Sequence, residues 1–542
     1  MKRKKKIFIG VAWPYVNGDL HIGHVAGYLL PADITKRFFK ISGYDVLMVS
    51  GSDCFGTPIT FEAEKEGISP KEIVKRYHPK NKKLFKDLGI SFDIYFKTDH
   101  PFHKKLVQEF VLSFWKKNLL FTKKELQYYD QENKRFLPDR YVEGTCPYCN
   151  FDGARGDQCD NCGKIIDQNL INPRSRITGK QVILKETQSV FIDWPKIQKE
   201  IEKYVRKKSK NWRAWVRKET FAWLKKGLKP RALSRDINWG VEFPKEIIKS
   251  WPFLKEKRIY VWFDAVVGYL SASKYFAKIK KINYEDFWKN KNALHYYFMG
   301  KDNLVFHTIF WPGQLMTYDP KINLPDFPLI NHYLNLEGKK FSKSRGTVLY
   351  IRDFIDKFGA DPLRFYMWKI MPEKKDSSFS WQDFYQTYND IFINKIWNFI
   401  RRVLVLYQKT KFSLPSEKII KFSFKILEKY SFHLQKGEFN KAYDVFLKYV
   451  SFGNKLIDQK KPWQFKNDEK KFISLGSDLI LIVIFLLLML HPVCPFSTTK
   501  YLRYLKIKPK FFKKSEIKKI IKNIYIKKKP KILFKPLLSS FI

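Results

Sequence analysis

Two histidines near the start of the chain have the types and spacing of a phosphate-binding helix terminus. An apolar, β-rich run at residues 7–12 is followed by turn residues and then by a segment that predicts a helix over about 21–40. A strand that turns into a helix presents unpaired N–H groups and the positive end of the helix dipole to an anion. His21 and His24 share one face at that end, and Gly23 leaves room for a ligand to approach the backbone. The pattern predicts a site that holds a nucleoside triphosphate while its α-phosphorus is attacked.

A second cluster, Lys-Phe-Ser-Lys-Ser at residues 340–344, lies far downstream. By itself, a His-x-x-His pattern at a helix start is more often an ordinary polar helix face. Together, His-Ile-Gly-His at 21–24 and the downstream cluster resemble the two signature motifs of class I aminoacyl-tRNA synthetases. The one departure is Phe341, where methionine is commoner.

The resemblance implies roles for the residues of both motifs. Attack of an amino acid carboxylate on ATP needs positioning and charge stabilisation rather than a protein nucleophile. His21 and His24 would donate to the phosphates, and Gly23 would let the adenine approach. Lys340 and Lys343 would close over the triphosphate and neutralise the charge that develops there. Mg²⁺ is expected to accompany the ATP.

Four of the six cysteines form two Cys-x-x-Cys pairs. Thiolates at this spacing can close a tetrahedral site, and four of them leave no open position for water. The pattern therefore predicts one structural Zn²⁺ per chain, in a knuckle at about residues 143–165, rather than a disulfide framework. The predicted ligands are Cys146, Cys149, Cys159 and Cys162.

Within class I, longer blocks of the sequence resemble the methionyl-tRNA synthetase family, and the likeness runs from about residue 7 to residue 500. The matching blocks are Ala-Trp-Pro-Tyr-Val-Asn-Gly at 12–18, Gly-Ser-Asp-Cys-Phe-Gly-Thr-Pro at 51–58, Glu-Gly-Thr-Cys at 143–146, Tyr-Val-Trp-Phe-Asp-Ala at 260–265 with Gly268 and Tyr269, and Gly-Lys-Asp-Asn at 300–303 with Phe306, His307, Trp311 and Pro312. The implied product is methionyl-adenylate, from which the methionyl group passes to the 3′ end of initiator and elongator tRNA(Met).

This second resemblance implies a methionine pocket. Asp53 and the backbone at Trp13 would hold the amino group, and Asp302 would bind the ribose of ATP. A thioether is apolar and a poor hydrogen-bond acceptor, so aromatic contact and at most weak donors such as Tyr15 and His307 suit it. Residues matching the side-chain pocket are Ala12, Tyr15, Trp262, Ala265, Tyr269, His307 and Trp311.

Three later residues match the family's anticodon-reading positions. Asn398 and Arg402 are four apart on a predicted helix and so share one face, and Trp463 follows Lys-Pro much later. Alone, Asn398 would be no more than a solvated helix residue. As a set, the three match a mode in which splayed bases stack on an indole and are bonded on their edges by amide and guanidinium groups.

The elements that must position these residues alternate between strand and helix up to about residue 116. Such alternation predicts a Rossmann-like, doubly wound parallel sheet, with ligands beyond the carboxyl ends of its strands. A strand over 44–50 runs into Asp53, and a further strand is expected over 258–263. Asp19 is the expected N-cap of the first helix.

Six segments are predicted. They are 1–116, the first half of the catalytic domain; 117–256, an insertion with the zinc knuckle; 257–335, the second half; 336–383, the second signature and a stem-contact region; 384–504, an all-α anticodon-binding bundle; and 505–542, a basic tail, expected to be loosely held.

Composition points to a polyanionic partner. Lys+Arg total 103 and Asp+Glu 53, a net charge of +50, which suits nucleic acid. An AT-rich genome would also enrich lysine, isoleucine and phenylalanine, so both explanations stay open. The apolar run 479–490 is too short to span a bilayer. We expect a soluble, cytoplasmic protein with no membrane partner. No dimerisation module is recognised after residue 510, so a monomer is expected.

Two other functions remain to be weighed. Cysteinyl-tRNA synthetase belongs to the same class, but its zinc is placed to bind substrate, unlike this four-cysteine knuckle. A non-catalytic tRNA-binding relative would be expected to lose one signature motif, and both are present here.

Overall fold

The centre of the protein is a five-stranded, fully parallel sheet. The computed structural model describes residues 5–156, 159, 161–162, 166, 169–339 and 348–538. The strands, in chain order, are β1 (Lys6–Val11), β2 (Asp45–Ser52), β3 (Ile94–Lys97), β4 (Leu294–Gly300) and β5 (Phe327–Asn331). They lie side by side in the order β5-β4-β1-β2-β3. The predicted doubly wound fold is confirmed.

The apolar strand sequences explain why both faces of the sheet are covered. Along β1, Ile7, Ile9 and Val11 contribute to one hydrophobic core, and Phe8 contributes to a second core on the other face. This period of two is the alternation of a strand that is buried on both sides. The strand order reverses between β1 and β4, so the loops that follow these two strands frame the crevice where such sheets bind ligands.

The first helix is continuous but contains a wider turn. It comprises Ile22–His24, a π-helical turn over Val25–Leu29 and Leu30–Ile41. Asp19 is not its N-cap, which corrects the sequence-based expectation. His21 is the N-cap, and its imidazole accepts from the backbone N–H of Gly23, whereas the Asp19 carboxylate pairs with Lys80.

Helices cover the sheet on both faces. Those of the first half, after the first helix, are Thr57–Glu66, Pro70–Leu88 and Pro101–Lys116; those of the second half are Val261–Lys280, Glu285–Trp288, the π-helical Phe306–Phe310 and Trp311–Tyr318. The long helices Pro101–Lys116 and Val261–Lys280 pack in the same core as Phe8. They bring their first turns towards the carboxyl ends of β1 and β2.

Among the described residues between the two halves, the strands form three small antiparallel sheets. One contains Leu120–Asp130, Arg135–Phe136, Ile183–Ile192 and Arg231–Ala232; the second contains Val142–Thr145, Asp152–Arg155 and Ile171–Ser175; the third contains Ser234–Arg235, Val241–Glu242 and Arg258–Ile259. The helices of this stretch are Gln198–Lys208, Ala214–Lys225 and Lys245–Ser250.

The strand expected over 258–263 is wrong beyond its first two residues. Strand Arg258–Ile259 ends before Tyr260, and a helix begins at Val261. The aromatic and β-branched residues here favour a strand locally. Tertiary packing overrides that preference, because Phe263, Val266 and neighbours along the helix bury one face in the core.

The chain after residue 350 is mainly helical. Strand Leu334–Leu336, which lies before this region, pairs in parallel with strand Ser377–Phe379 inside it. The helices are Ile351–Phe358, Ala360–Lys369, Trp381–Gln386, the π-helical Thr387–Trp397, Asn398–Leu406, Glu417–Gln435, Phe439–Lys460, Glu469–Leu490, Pro495–Tyr504 and Ile517–Lys522. By length and apolar composition Glu469–Leu490 resembles a membrane span, but 78% of its most apolar window is buried inside the protein. It is packed as the central helix of this bundle.

The basic tail is not loosely held over its described part. Ile517, Ile521, Ile524 and Ile526 are each at most 3% exposed. Further on, the tail accepts a hydrogen bond at its backbone from the Tyr388 hydroxyl. The tail was expected to be loosely held because it is rich in lysine, but the isoleucines between the lysines pack against the helical bundle.

Candidate active site, metal centre and tRNA-facing residues

The two histidines of the first signature form a compact pair at the helix start. Their ring centroids are 4.1 Å apart. The Nδ1 atom of His21 accepts from the Gly23 N–H at 3.2 Å, and the Nδ1 atom of His24 lies 3.2 Å from the backbone nitrogen and 3.1 Å from the carbonyl oxygen of His21. Both side chains therefore have a fixed orientation at the crevice after β1, with their Nε2 edges directed away from the capping contacts.

The segment that directly follows the second signature is hydrogen-bonded to the start of the first signature. Lys340 and Lys343 lie outside the described residues. Just after them, Leu349 accepts at its carbonyl from the Ile22 N–H at 3.0 Å, and the Ile351 N–H donates to the Leu20 carbonyl at 3.0 Å. The chain thus leaves the second signature alongside the start of the first.

Asp302 stands directly after β4, on the other side of the same crevice. It is exposed, and its carboxylate accepts a hydrogen bond from the Tyr333 hydroxyl. Lys301 beside it pairs with Asp376 at 2.9 Å. The loops after β1 and β4 thus both place polar side chains at the switch point of the sheet.

Asp53 lies at the end of β2 and is tied to the loop after β1. Its backbone N–H donates to the Pro14 carbonyl at 3.0 Å, and Tyr15 and Asp53 form a parallel bridge. The Asp53 side chain accepts from the Phe55 N–H at 3.3 Å. Burial is the main cause that raises the pKa of Asp53 to about 7. The carboxylate is therefore an under-satisfied acceptor at the edge of the site.

Glycines make room for the Trp13 ring beside Asp53. A Cβ atom on Gly51 would lie 2.2 Å from the ring, and one on Gly268 would lie 2.7 Å from it. Gly56 faces Tyr15 in the same way, at 2.0 Å. Glycine is required at these three positions because an aromatic ring packs directly against the backbone of each. A side chain at any of them would displace that ring.

A buried aromatic wall adjoins Trp13. Tyr269, His307 and Trp311 are each at most 2% exposed, and the Tyr269 ring lies 6.1 Å from that of Trp311 and 6.5 Å, edge-on, from that of Trp13. Trp262 stacks on Phe306 at 4.3 Å. The site is therefore lined by aromatic groups of low polarity, which suits a thioether.

His307 has no N–H left for a ligand. Its Nδ1 atom lies 2.9 Å from the Asn303 carbonyl, which can only accept, so Nδ1 carries the proton. Burial lowers the pKa of His307 to about 4, so the ring is neutral and Nε2 accepts from the Tyr269 hydroxyl at 2.8 Å. The expectation that His307 is a weak donor to sulfur is therefore wrong, although the residue does line the wall.

The remaining predicted pocket residues differ in exposure. Ala12, Trp13, Tyr15, Trp262 and Ala265 are partly exposed, whereas Asp53 is 5% exposed. Trp262, Ala265 and Tyr269 lie along the first turns of one helix. The partly exposed set borders the crevice and the buried set forms its floor.

The four predicted metal ligands converge. Their Sγ atoms all lie within 4.8 Å of one another, with Cys146 and Cys162 at 3.9 Å and Cys149 and Cys159 at 3.7 Å. A tetrahedral zinc with bonds of about 2.3 Å places its sulfur ligands about 3.8 Å apart. The cluster thus fits a structural Zn²⁺, which would supply cross-linking of the knuckle and no open coordination position.

The segment that leads into the knuckle is fastened to the first half of the fold. Arg135 makes a two-point contact with Glu64, at 2.8 and 3.0 Å, and the Tyr141 hydroxyl donates to Thr60 at 2.7 Å. Thr60 and Glu64 lie on helix Thr57–Glu66, which directly follows the Asp53 loop. The segment before the knuckle therefore contacts the helix beside the site.

Removing the metal is expected to loosen the knuckle before it disturbs the sheet. With a zinc chelator, amide hydrogen exchange should accelerate by orders of magnitude in strands Val142–Thr145 and Ile171–Ser175, because structural zinc stabilises small domains directly. Protection in β1 and β4 should persist, since their hydrogen bonds are in the parallel sheet. Hydrogen exchange with mass spectrometry tests this. Equal loss of protection in both regions would contradict it.

The three predicted anticodon-binding residues lie on two parts of the bundle, helix Asn398–Leu406 and the turn Pro462–Phe465. Asn398 is exposed and Trp463 is 45% exposed on the turn Pro462–Phe465. The Arg402 guanidinium pairs with Asp458 at 3.0 Å, near the end of the helix that leads into this turn. The pairing brings the Arg402 helix close to the segment that carries the tryptophan.

Comparison with known proteins agrees with this geometry. The sequence model of the family described as tRNA synthetases class I (M) matches residues 7–404. The methionine–tRNA ligase of Thermomicrobium roseum is 38% identical over 520 residues, which is 93% of this chain and 88% of that protein. The methionine–tRNA ligase of Thermoplasma volcanium is 38% identical over 507 residues, 91% of each chain.

The chain belongs to the class I (M) tRNA synthetases.

A solved structure agrees with this class I (M) fold. The Mycobacterium tuberculosis methionyl-tRNA synthetase in complex with methionyl-adenylate matches with a TM-score of 0.76 over 95% of each chain, at 20% identity. That likeness concerns the fold.

Sequence reasoning missed two polar residues of this class I synthetase that lie behind the site. Asp264 and His103 are fully buried beside Trp13 and Asp53. Asp264 lies inside the matching block 260–265, but the resemblance implies roles only for its neighbours. An isolated acid in an apolar helix turn was the available signal, whereas nothing in the sequence marks His103.

Proposed function

We infer that this chain is a methionine–tRNA ligase, which uses ATP to activate L-methionine and transfers it to tRNA(Met). Membership of the class I (M) family carries this conclusion. The chemistry of the site supports it. At the switch point of the sheet, the buried rings of Tyr269 and Trp311 adjoin the Asp53 carboxylate, which can accept further hydrogen bonds besides the one from the Phe55 N–H. Such a combination suits an amino acid with a long apolar, polarizable side chain.

In the first step, the methionine carboxylate attacks the α-phosphorus of ATP, a bond to oxygen forms, and pyrophosphate leaves. Asp53 pairs with the α-ammonium group, and the aromatic wall holds the thioether so that the carboxylate faces the first signature. His21 and His24 donate to the phosphates from the helix start, where the dipole also favours negative charge. Asp302 holds the ribose.

Charge on the leaving pyrophosphate must be neutralised as it develops. Lys340 and Lys343 serve this purpose, because lysines that close on the triphosphate only as the reaction proceeds stabilise the transition state more than the ground state. Mg²⁺ bound with ATP would add to the neutralisation. In the second step, a hydroxyl of the tRNA 3′-terminal adenosine attacks the adenylate carbonyl and AMP leaves.

Anticodon recognition is assigned to Asn398, Arg402 and Trp463. Trp463 is 45% exposed, the largest exposed fraction of any tryptophan among the described residues, which supports a role in contacting a partner. Arg402 is within reach of the same surface through its pairing with Asp458. Initiator and elongator tRNA(Met) share the CAU anticodon, so one surface serves both.

Replacing Trp463 by alanine is expected to weaken tRNA charging without affecting methionine activation. Loss of one base–aromatic stack costs about 1–3 kcal/mol, or roughly 5–150-fold in kcat/KM for tRNA. The rate of methionine-dependent pyrophosphate exchange should stay unchanged, because Trp463 lies on the helical bundle. Aminoacylation and exchange assays on one preparation test this. Trp223→Ala, another partly exposed tryptophan, is the matched control. An equal loss in both assays would contradict the assignment.

Structural zinc at the knuckle, a monomeric state and a cytoplasmic location complete the proposal. Four cysteines that converge as metal ligands, rather than at disulfide positions, support a reducing compartment. Charging of a CAU-bearing tRNA with methionine by the purified protein tests the proposed function. Transfer of methionine is the expected result, and charging with another amino acid instead would overturn it.

A further inference from the structure

The helix of the first signature contains a carbonyl group that its own backbone does not pair. In the π-helical turn Val25–Leu29, the N–H of Leu30 donates to the Val25 carbonyl, five residues back. The next bond of this kind would join residue 31 to the Ala26 carbonyl, but Pro31 has no N–H. Ala26 is fully buried, and a buried carbonyl without a hydrogen bond costs free energy. The partner of this carbonyl must therefore come from outside the helix.

Asn331, the last residue of β5, supplies the missing donor. Its Nδ2 atom donates to the Ala26 carbonyl at 2.9 Å. Asn331 is itself buried, and β5 packs directly against the π-helical turn. A hydrogen bond that is shielded from water in this way is strong, because no solvent competes for the carbonyl. The bond therefore holds the turn of the signature helix against the edge of the sheet.

The orientation of the Asn331 amide group is set by Arg213 of the insertion. The Arg213 guanidinium donates to Oδ1 of Asn331 at 2.6 Å and to the Ile330 carbonyl at 2.7 Å. A guanidinium can only donate and a carbonyl can only accept, so Oδ1 must face Arg213 and Nδ2 must face Ala26. The same guanidinium donates to the Gly437 carbonyl in the helical bundle at 3.0 Å. The insertion and the bundle thus share the group that directs Asn331 at the signature helix.

The π-helical turn determines which way the two signature histidines face. A π turn contains more residues than an α turn, so it rotates the side chains before it relative to those after it. After the turn, Leu30 and Ile34 are fully buried in the core. Before it, His21 and His24 are partly exposed beside the crevice. If the turn relaxed towards an α-helix, the histidines would rotate away from this direction while the apolar residues stayed buried.

We propose that Asn331 is a positioning residue of the first signature: its amide group replaces the N–H that Pro31 lacks, closes the π-helical turn and so directs the two signature histidines at the triphosphate. Asn331 acts through the turn and not on the substrate. Its effect on catalysis rests on the proposed function, because that function assigns the phosphate contacts to His21 and His24. The hydrogen bond to the Ala26 carbonyl does not depend on the proposed function.

Amide hydrogen exchange tests the contact without reference to activity. Asn331→Leu has similar size but no donor, so exchange in residues 25–36 should accelerate about 5–150-fold, the factor expected for one unpaired buried acceptor. Pro31→Ala restores an N–H that can bond to the Ala26 carbonyl. The double variant should therefore exchange within about threefold of wild type. A double variant that exchanges as fast as Asn331→Leu would overturn the proposal, because Asn331 would then not replace the missing N–H.

The rate of methionyl-adenylate formation tests the positioning role. Asn331→Leu should slow this step about tenfold or more, because a displacement of about 1 Å at a reacting group can cost 10²-fold. The KM for methionine should stay within about twofold of wild type, since Asp53 and the aromatic wall lie on other elements. Pro31→Ala alone should behave as wild type, and in the double variant it should restore most of the rate. An Asn331→Leu variant as fast as wild type, or a double variant without recovery, would contradict the proposal.

Two further variants separate the lost donor from a loss of folding. Asn331→Asp keeps the size of the side chain and its contact with Arg213, but the carboxylate cannot donate to the Ala26 carbonyl. It should be as slow as the leucine variant and fully folded by circular dichroism, and a rate equal to that of wild type would sink the proposal. Asn389→Leu removes another asparagine that donates to a carbonyl, that of Leu537 at 3.1 Å, and should leave the rate unchanged. If no amino acid supports adenylate formation in wild type, the proposed function fails, and hydrogen exchange still decides on the turn.

Discussion

Replacing Asp53 by asparagine is expected to raise the KM for methionine about a hundredfold, since removing one partner of a buried charge pair costs about 2–5 kcal/mol. Asparagine keeps the shape and the contact with the Phe55 N–H, but it has no charge to pair with the α-ammonium group. The KM for ATP should change little, because the proposed phosphate and ribose contacts lie after β1 and β4. Pyrophosphate exchange at varied methionine concentrations measures both constants.

The pH dependence gives this prediction a second readout. Burial raises the pKa of Asp53 to about 7, so the carboxyl group of the empty site is neutral below that pH and ionised above it. Methionine affinity should therefore rise with pH up to about 7 and level off above it. Asp53→Asn should lose this dependence, whereas Asp356→Asn, at a surface carboxylate, should keep it. A methionine affinity in wild type that does not vary between about pH 5 and 8 would contradict the role of Asp53.

Replacing Lys343 by alanine is expected to slow methionyl-adenylate formation by about 10²–10³-fold, the usual cost of removing one group that stabilises transition-state charge. Lys343 lies outside the described residues, so this prediction rests on the signature motif. Its chain neighbourhood agrees, because the segment that follows pairs with the first signature through Leu349 and Ile351. Methionine affinity should be nearly unchanged, because the pocket contains none of these residues.

Rapid-mixing measurement of adenylate formation separates the two effects of Lys343→Ala. Lys374→Ala, at an exposed lysine before the Ser377–Phe379 strand, is the matched control and should behave as wild type. A Lys343 variant that forms the adenylate as fast as wild type would remove this lysine from the mechanism.

The parallel sheet could be predicted because its signals are local and repeated. Runs such as 7–12 are apolar throughout, and strands that are buried on both faces have this composition. The switch point then follows from topology, which is why Asp53 could be placed at the edge of the site. The wrong elements are those in which tertiary packing opposes local preference, such as the helix at Val261 and the buried isoleucines of the tail.

The chemistry of single side chains was harder to predict. His21 as helix cap and Asp19 in a salt bridge with Lys80 depend on distances that no sequence pattern contains. The loss of the His307 donor depends on the carbonyl of Asn303, which ends the short helical turn Lys301–Asn303 just before the His307 segment. The converging cysteines were predictable, because four metal ligands in two short pairs leave few other arrangements.

The central claim is that the pocket selects methionine for activation by ATP. Pyrophosphate exchange into ATP on the purified, zinc-loaded protein, measured with one amino acid at a time, tests it most directly. The site described here predicts exchange with methionine and exchange at least about tenfold weaker with leucine or isoleucine, since pockets discriminate roughly 10–200-fold per methylene-sized change. Equal exchange with several amino acids, or none with methionine from folded protein that still binds tRNA, would contradict it.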